Sequence, residues 1–186
     1  MRAAPQKALL DACVLYPTVM REILIGCAAE GLYQPLWSDR ILEEWARAAA
    51  RLSAGDEAMA RGEVAALKAR FPKASVPPRP GLESRLHLPD ENDIHVLAAA
   101  IAGGADAIVT QNRSDFPRGT LAAEGLDRLD VDAFLLALIA DAPEAVARVV
   151  EAVRAQAEEL SGQPQPLRGL LKRARLYRVA KALEAN

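Results

Sequence analysis

The sequence predicts an α/β fold in which helices cover both faces of a central parallel sheet, a three-layer α/β/α arrangement followed by a helical C-terminal extension. Short apolar runs alternate with helical segments over residues 1–140, which is typical of strand–helix–strand units. Residues 141–186 show helical periodicity without strand signals. The 186 residues are enough for one domain with a sizeable core and a small appendage.

The composition is that of an ordinary globular protein, with 51% hydrophobic and 26% charged residues, and it argues against disorder. No apolar run approaches the roughly 18 residues that a membrane helix needs. Asp11 interrupts the first apolar run, so we do not expect a signal peptide. Cys13 and Cys27 form neither a zinc motif nor a disulfide framework. We therefore expect a reducing, cytoplasmic compartment.

The first two elements are predicted to be a strand and a helix. KALLDACVL, residues 7–15, has the composition of a short buried strand, with Asp11 near its end. Pro17 ends this run, and VMREILIGCAAEG has helical spacing up to Gly31, a plausible helix end.

A second strand and two further helices follow. LYQPLW is predicted to be a short strand, and Ser38 is predicted to cap the next helix because its hydroxyl can accept a free backbone N–H. ILEEWARAAARL forms that helix, and residues 56–71 form another amphipathic one. FPKASVPPRPG is a proline-rich loop with room for a brief edge strand.

The most informative stretch is LPDENDIHVLAAAIAGGADAIVTQNRSDFP. It predicts a loop, a helix over 93–102, a Gly-Gly helix end, a strand over 107–110 and a second loop. Residues 132–140 give a further helix. We place the boundary of the α/β domain there, with domains at 1–140 and 141–186.

The C-terminal extension is predicted to hold a helix over 144–160 and a basic helix over 167–184. Residues 164–186 carry a net charge of +5, whereas the whole chain carries −2. Four of the basic residues recur at intervals of four and three, close to one helix face, where they could contact RNA phosphates. The alternative is a solvated face, or one that docks on the acidic body or on a partner protein. These residues are Arg168, Lys172, Arg175 and Arg178.

Acidic and polar residues from four segments fall at one predicted edge of the sheet. They end a strand, open a helix or follow a strand, and ligands of open parallel sheets bind beyond these carboxyl ends. The set comprises Asp11, Glu44, Asp93, Thr110, Asn112 and Asp115. Grouped carboxylates repel one another, and a hard divalent cation relieves the repulsion. Oxygen ligands without His or Cys favour Mg²⁺ or Mn²⁺, which suits phosphodiester hydrolysis.

A simpler interpretation exists for each acidic residue taken alone. An Asp at a strand end or a helix start is often only a cap or a turn former. Asp90, Glu91 and Glu43 are expected to be solvated or capping residues. The metal site is therefore an inference from the whole set.

Three segments carry a resemblance to a known family: LLDACVLYP, SDRILEEW and DENDIHVLAAAIAGGADAIVTQNRSDFP. In this order and at this spacing the chain resembles a PIN domain, the nuclease fold of VapC-type toxins of bacterial toxin–antitoxin pairs. DRLDVDAFL is similar to the segment that closes the domain, so the resemblance covers roughly residues 7–140.

The resemblance implies a metal-dependent endoribonuclease that cuts structured RNA such as tRNA or rRNA. It implies that Asp11 and Asp93 bind Mg²⁺ or Mn²⁺ directly and that Glu44 and Asp115 bind it or orient the attacking water. Glu43 replaces Glu44 if the register differs by one. The remaining two polar residues, Thr110 and Asn112, would position water and phosphate.

The resemblance also implies a cognate antitoxin, and a homodimer is a further expected state. Asn112 stands where the commonest family pattern has Asp, which weakens the expected metal affinity unless Asp115 compensates. Two alternatives stay open: a housekeeping RNA-processing or DNA nuclease with the same site, and a non-catalytic PIN fold that binds RNA or a protein.

Overall fold

The computed structural model describes residues 4–51 and 54–184. Its sheet has four parallel strands in the order β2-β1-β3-β4. The strands are β1 (Lys7–Leu10), β2 (Gln34–Leu36), β3 (Ala107–Val109) and β4 (Asp127–Leu129). Helices flank this sheet, so the three-layer fold class expected from the sequence is confirmed.

The helices follow the strands in chain order, with one 3-10 turn at Glu91–Asp93. They are α1 (Ala12–Leu15), α2 (Thr18–Ala29), α3 (Asp39–Ala50), α4 (Ala54–Arg70), α5 (Pro80–Glu83), α6 (Ile94–Gly103), α7 (Arg118–Ala123), α8 (Val131–Asp141), α9 (Pro143–Ser161), α10 (Leu167–Arg173) and α11 (Tyr177–Glu184). Among the described residues, no helix is long and apolar enough to cross a membrane.

The ends of two helices agree with the residues that predicted them. Ser38 caps α3, since its Oγ accepts a hydrogen bond from the N–H of Ile41 at 3.2 Å. Gly104 ends α6 at φ 63°, a left-handed conformation that glycine adopts without a side-chain clash. In the proline-rich loop, Ser75 forms a single parallel bridge with Trp37, which is the brief edge pairing expected there.

The first strand is shorter than predicted. β1 ends at Leu10, and the second half of KALLDACVL turns into α1. The N–H of Val14 bonds to the carbonyl of Asp11 at 3.1 Å, and that of Tyr16 bonds to Ala12 at 3.0 Å. This turn buries Val14 and Leu15, and it packs α1 against α2 and α3.

The prediction of a single basic helix over 167–184 is also wrong, because the helix is interrupted between α10 and α11. The N–H of Leu176 bonds to the carbonyl of Leu171 and that of Arg175 bonds to Lys172, each at 2.9 Å. This pair of bonds is a Schellman helix end, and Arg175 takes its left-handed position at φ 60°. Leu171 and Leu176 are fully buried, so their packing stabilises the break. The four basic residues therefore share no single helix face.

The C-terminal helices pack directly on the rest of the fold. α9 lies against α2 and α8, and α11 lies against α8. Gly26 of α2 makes room for the Val149 side chain of α9, since a Cβ at that position would lie 2.5 Å from Cγ1 of Val149. The extension is thus positioned against the sheet-bearing part of the chain.

Candidate metal centre

The site lies where the strand order reverses. From β1 the chain crosses to β2 on one side and later returns to β3 on the other side of β1. At such a switch point the carboxyl ends of two neighbouring strands open into a crevice. Asp11 follows β1 and Thr110 follows β3, so their side chains meet there.

Asp11 is a buried carboxylate held by two donors. The hydroxyl of Thr110 donates to its Oδ2 at 2.7 Å, and the Sγ of Cys13 donates to the same oxygen at 3.1 Å. Burial, followed by the charge of Asp11, raises the pKa of Cys13 to about 12. The thiol therefore stays protonated and acts as a donor to the carboxylate.

Three further carboxylates form a group close to Asp11. One oxygen each from Asp90, Asp93 and Asp115 lies within 4.8 Å of the other two. Asp93 precedes α6, and Asp90 opens the 3-10 turn before it by accepting the N–H of Asn92 at 2.9 Å. Asp115 comes from the loop that follows β3. Residues far apart in the chain thus converge because the turn before α6 faces this loop.

Asp93 shows the repulsion within this group. Burial and then the charges of Asp11, Asp90 and Asp115 raise the pKa of Asp93 to about 6. Asp11 is therefore electrostatically coupled to the group of three.

Asn112 joins the two halves of the site. Its amide Nδ2 donates to Oδ2 of Asp115 at 2.6 Å and lies 3.3 Å from Oδ2 of Asp93. Its backbone N–H donates to Oγ1 of Thr110 at 3.0 Å, which links it to Asp11. The Oδ1 of Asn112 accepts a hydrogen bond from Ser114 Oγ at 3.1 Å. Asn112 thus bridges two acids as a donor.

Glu44 lies on α3 beside the first turn of α6. Its Oε1 is 2.9 Å from Nε2 of the buried His95 and 3.3 Å from Nε of Arg40. The His95 contact has an ion-pair distance without the alignment of a hydrogen bond. Burial raises the pKa of Glu44, but the contacts with His95 and Arg40 outweigh burial and lower that pKa. Among the described residues, Glu44 is not one of the three mutually close carboxylates.

Glu43 faces away from Glu44, toward α4. It forms ion pairs with Arg47 and Arg61, each at 2.8 Å. Hydrogen bonds from these two arginines lower the pKa of Glu43 to about 2. Of the two adjacent glutamates, Glu44 is therefore the one placed on the α6 side.

The four predicted RNA-contacting residues divide between two places. Arg168 pairs with Glu184 at 3.0 Å on the outside of the extension, and Lys172 is exposed on α10. Arg175 and Arg178 line a cleft that also borders Thr110.

Two residues of the site were not predicted. Asp90 was expected to be a cap, which it is, but it is also a member of the acidic group. His95, to which the sequence assigned no role in the site, is a buried residue in contact with Glu44. The sequence signal for Asp90 was its spacing of three residues from Asp93 within one tight turn.

A divalent cation fits this donor set. The group offers carboxylate oxygens from separate segments, and burial together with the repulsion between these charges raises the pKa of Asp93. Mg²⁺ and Mn²⁺ prefer such oxygen ligands. Asp90, Asp93 and Asp115 would hold the ion, with Asp11 close enough to add its charge.

A parallel α/β fold with a carboxylate group at its switch point defines a class of proteins suited to metal-dependent hydrolysis. Within that class, the sequence profile of the PIN domain matches residues 7–114. This match spans more than half of the chain, and the chain belongs to the PIN domain family, a nuclease fold. No curated protein and no solved structure matches the chain significantly.

Proposed function

We propose that this chain is a Mg²⁺- or Mn²⁺-dependent endoribonuclease that hydrolyses RNA phosphodiester bonds. The observation that carries the proposal is the convergence of Asp90, Asp93 and Asp115 within 4.8 Å in a chain whose residues 7–114 match the PIN domain. Asp11, fixed by Thr110 and Cys13, adds a fourth charge at the same edge.

Each residue of the site has a role in this proposal. A bound cation would polarise the phosphate and lower the pKa of a water molecule. Asp90, Asp93 and Asp115 are its ligands, and Asn112 holds the oxygens of the last two at fixed positions. Thr110 orients Asp11. The contacts of Glu44 favour positioning of His95 and the first turn of α6 over direct ligation.

We further propose that the chain is the toxin of a type II toxin–antitoxin pair in the cytoplasm, where Cys13 and Cys27 stay reduced. The motif resemblance supports this role, and it makes tRNA or rRNA the expected target and a cognate antitoxin the expected partner. Induction of the chain in a bacterium should then arrest growth. Asp93→Asn should abolish the arrest at equal protein level, whereas a housekeeping nuclease would leave growth unaffected.

Cleavage of total RNA by the purified protein tests the enzymatic proposal. We expect discrete fragments with Mn²⁺ or Mg²⁺ and none with EDTA. Asp93→Asn should remove the activity because it deletes a ligand charge. Asp39→Asn is the matched control, since Asp39 is exposed and pairs with Lys68 of α4.

Two outcomes would contradict the proposal. Equal cleavage by the wild type and by Asp93→Asn would mean that a contaminant cuts the RNA. RNA binding without cleavage of total RNA in either metal would indicate the non-catalytic alternative. A single-stranded DNA substrate in parallel reactions separates the ribonuclease from a DNA nuclease.

A further inference from the structure

A cleft of about 500 Å³ lies next to the acidic group, between the loop after β3 and the C-terminal extension. We name it the arginine cleft, because five arginines line it together with Tyr177. The arginines are Arg113, Arg118, Arg128, Arg175 and Arg178. Two aspartates, Asp130 and Asp132, also line the cleft, so its charge is clearly positive.

Three of these arginines have structural partners. Arg128 donates to the carbonyls of Arg113 and Phe116, at 2.6 and 2.8 Å, and so fixes the loop after β3. Arg113 pairs with Asp130 at 2.7 Å. Arg178 pairs with Asp130 and Asp132 at 3.2 and 3.1 Å.

The other two arginines are free to take a ligand. Within residues 4–51 and 54–184, the side chains of Arg118 and Arg175 make no hydrogen bond or ion pair, and both are exposed. Arg118 comes from the start of α7 and Arg175 from the break between α10 and α11. Their guanidinium groups suit two phosphates of one strand, because each can bind phosphate oxygens bidentately.

The conformation of Arg175 also points to a use for its side chain. It is the one non-glycine residue with positive φ in the described part of the chain. Glycines hold the equivalent left-handed position after α2, α6 and α9. A glycine would satisfy the backbone of the last break with less strain. The arginine therefore brings a cation to the cleft at a conformational cost.

Tyr177 adds an aromatic surface beside these cations. Its side chain is 58% exposed at the first residue of α11. An exposed ring beside free guanidinium groups is the combination that binds single-stranded nucleic acid, in which bases stack on the ring and phosphates meet the cations.

The cleft is continuous with the candidate metal centre. Thr110 lines the cleft and also donates to Asp11, and Arg113 directly follows Asn112. A strand whose phosphate lies at the acids has its neighbouring nucleotides within reach of the cleft. This continuity favours an RNA strand over an acidic segment of a partner protein.

Asp132 attaches the extension to the domain and so forms the cleft. It is buried, and it accepts the N–H groups of Arg178 and Val179 at 3.0 and 2.9 Å, which caps α11.

From these contacts we propose that the C-terminal extension completes the substrate site. Arg118 and Arg175 bind the phosphates next to the scissile bond, and Tyr177 stacks on a base. This inference rests on the proposed function and names its substrate-binding surface.

The test is fluorescence anisotropy of a labelled oligouridine of about 12 nucleotides with the full chain in EDTA, which prevents cleavage. Arg118→Ala and Arg175→Gly should each weaken binding about tenfold. Each should also reduce the slope of log affinity against log salt by about 0.7, the loss of one phosphate contact on a single strand. Tyr177→Ala should weaken binding without changing the slope.

The controls separate this inference from folding and from the proposed function. Arg175→Gly should fold at least as well as the wild type, and its Mn²⁺ affinity should not change. Lys181→Ala is the matched control, because Lys181 is exposed on α11 outside the cleft.

Three results would overturn the inference. The first is unchanged RNA affinity in Arg118→Ala and Arg175→Gly. The arginine cleft would then not bind RNA, whereas metal-dependent cleavage by the wild type would still support the nuclease. The second is an equal loss in Lys181→Ala, which would mean non-specific attraction to a basic surface. The third is tighter binding of a poly-glutamate peptide of equal length than of the oligouridine, which would make the cleft a protein-binding surface.

Discussion

The carboxyl of Asp93 shares the sheet edge with Asp11, Asp90 and Asp115, and burial together with these charges raises its pKa to about 6. In the unfolded chain an Asp titrates near its ordinary value, about 3.9. At pH values between these two, the carboxyl of Asp93 in the folded protein therefore carries a proton that a metal ion must displace. Protonation of Asp93 competes with the cation on the acid side of the folded-state pKa.

We expect the Mn²⁺ affinity to depend on pH in a defined direction. It should be constant above about pH 7 and fall up to tenfold per unit below about pH 6, because one proton is released on binding. Isothermal titration calorimetry across this range measures it. An affinity unchanged down to about pH 4.5 would show that Asp93 is not a ligand.

Asn112 controls the charge of the site. Its amide bridges Asp93 and Asp115 at 3.3 and 2.6 Å and adds no negative charge. Asn112→Asp removes this donor and adds a carboxylate, so we expect tighter Mn²⁺ binding, by about tenfold, since ligand charge sets the affinity of such sites. The metal-free variant should unfold at a lower temperature because a further carboxylate then adds to the repulsion among those of Asp11, Asp90, Asp93 and Asp115.

The variant Asn112→Ala separates these two effects. It removes the bridging donor without adding charge, so Mn²⁺ affinity should fall slightly or stay the same. Weaker Mn²⁺ binding by Asn112→Asp than by Asn112→Ala would contradict a direct role for charge at this position.

At the scale of elements, the contact of α2 with α9 depends on one missing side chain. A Cβ on Gly26 would lie 2.5 Å from Cγ1 of Val149. A valine in a helix has one strongly preferred rotamer and cannot turn aside easily. Gly26→Ala should therefore cost about 1–3 kcal/mol by overpacking, against a gain of about 1 kcal/mol in helix propensity.

We expect Gly26→Ala to lower Tm by about 2–4 °C, the shift that ~1 kcal/mol gives in a chain of this size. Gly62 of α4 is the matched control, because a Cβ there meets no atom within 4 Å. Gly62→Ala should raise Tm, since only the propensity term acts. The packing argument would be contradicted by a Tm of Gly26→Ala above that of the wild type. It would also be contradicted if adding Val149→Ala to Gly26→Ala recovered none of the lost Tm.

The elements also show how far the sequence predicts this fold. Local sequence patterns predict the strands β1 to β3, the Ser38 cap and the Gly104 helix end. Each of these features depends on burial and backbone conformation over a few neighbouring residues. The interruption before α11 could not be predicted from the sequence, because Arg175 occupies the left-handed position at which a glycine usually signals the end of a helix. β4 was missed since Asp127 and Arg128 carry charges that do not mark a buried strand.

The candidate site was predicted to a similar degree. Asp11 and Thr110 follow from strand ends, and their contact follows from the parallel topology. The grouping of Asp90 with Asp93 depends on the 3-10 turn between them, and the partners of Glu44 depend on how α3 packs beside α6. Such contacts between elements are set by tertiary packing, and the residue pattern alone does not define them.

At the scale of the whole molecule, the acidic body and the basic C-terminal part meet at one edge. Residues 164–186 have a net charge of +5 in a chain of −2. Arg178 brings part of that charge to Asp130 and Asp132, and Asp130 also pairs with Arg113. The extension therefore docks on acids that are distinct from Asp90, Asp93 and Asp115, and it leaves those three for a cation.

This docking depends most on Asp132, which is buried and accepts two backbone N–H groups of α11. Asp132→Ala leaves both donors unpaired, at a cost of about 1–3 kcal/mol. We expect α10 and α11 to loosen, so trypsin should cut between Arg173 and Arg178 faster than in the wild type. Asp141→Ala is the control, because Asp141 ends the same helix, is exposed and accepts the N–H of Ala4, which lies outside α10 and α11.

The same variant separates the two parts of the site. Mn²⁺ affinity should stay within about twofold of the wild-type value, a difference of ~0.4 kcal/mol, because every proposed ligand lies between residues 11 and 115. Affinity for the oligouridine should fall with the loosening, since Arg175 and Tyr177 then leave the arginine cleft. Loss of Mn²⁺ binding in Asp132→Ala would show instead that the extension is needed to fold the metal centre, and unchanged proteolysis would show that other contacts hold α11 in place.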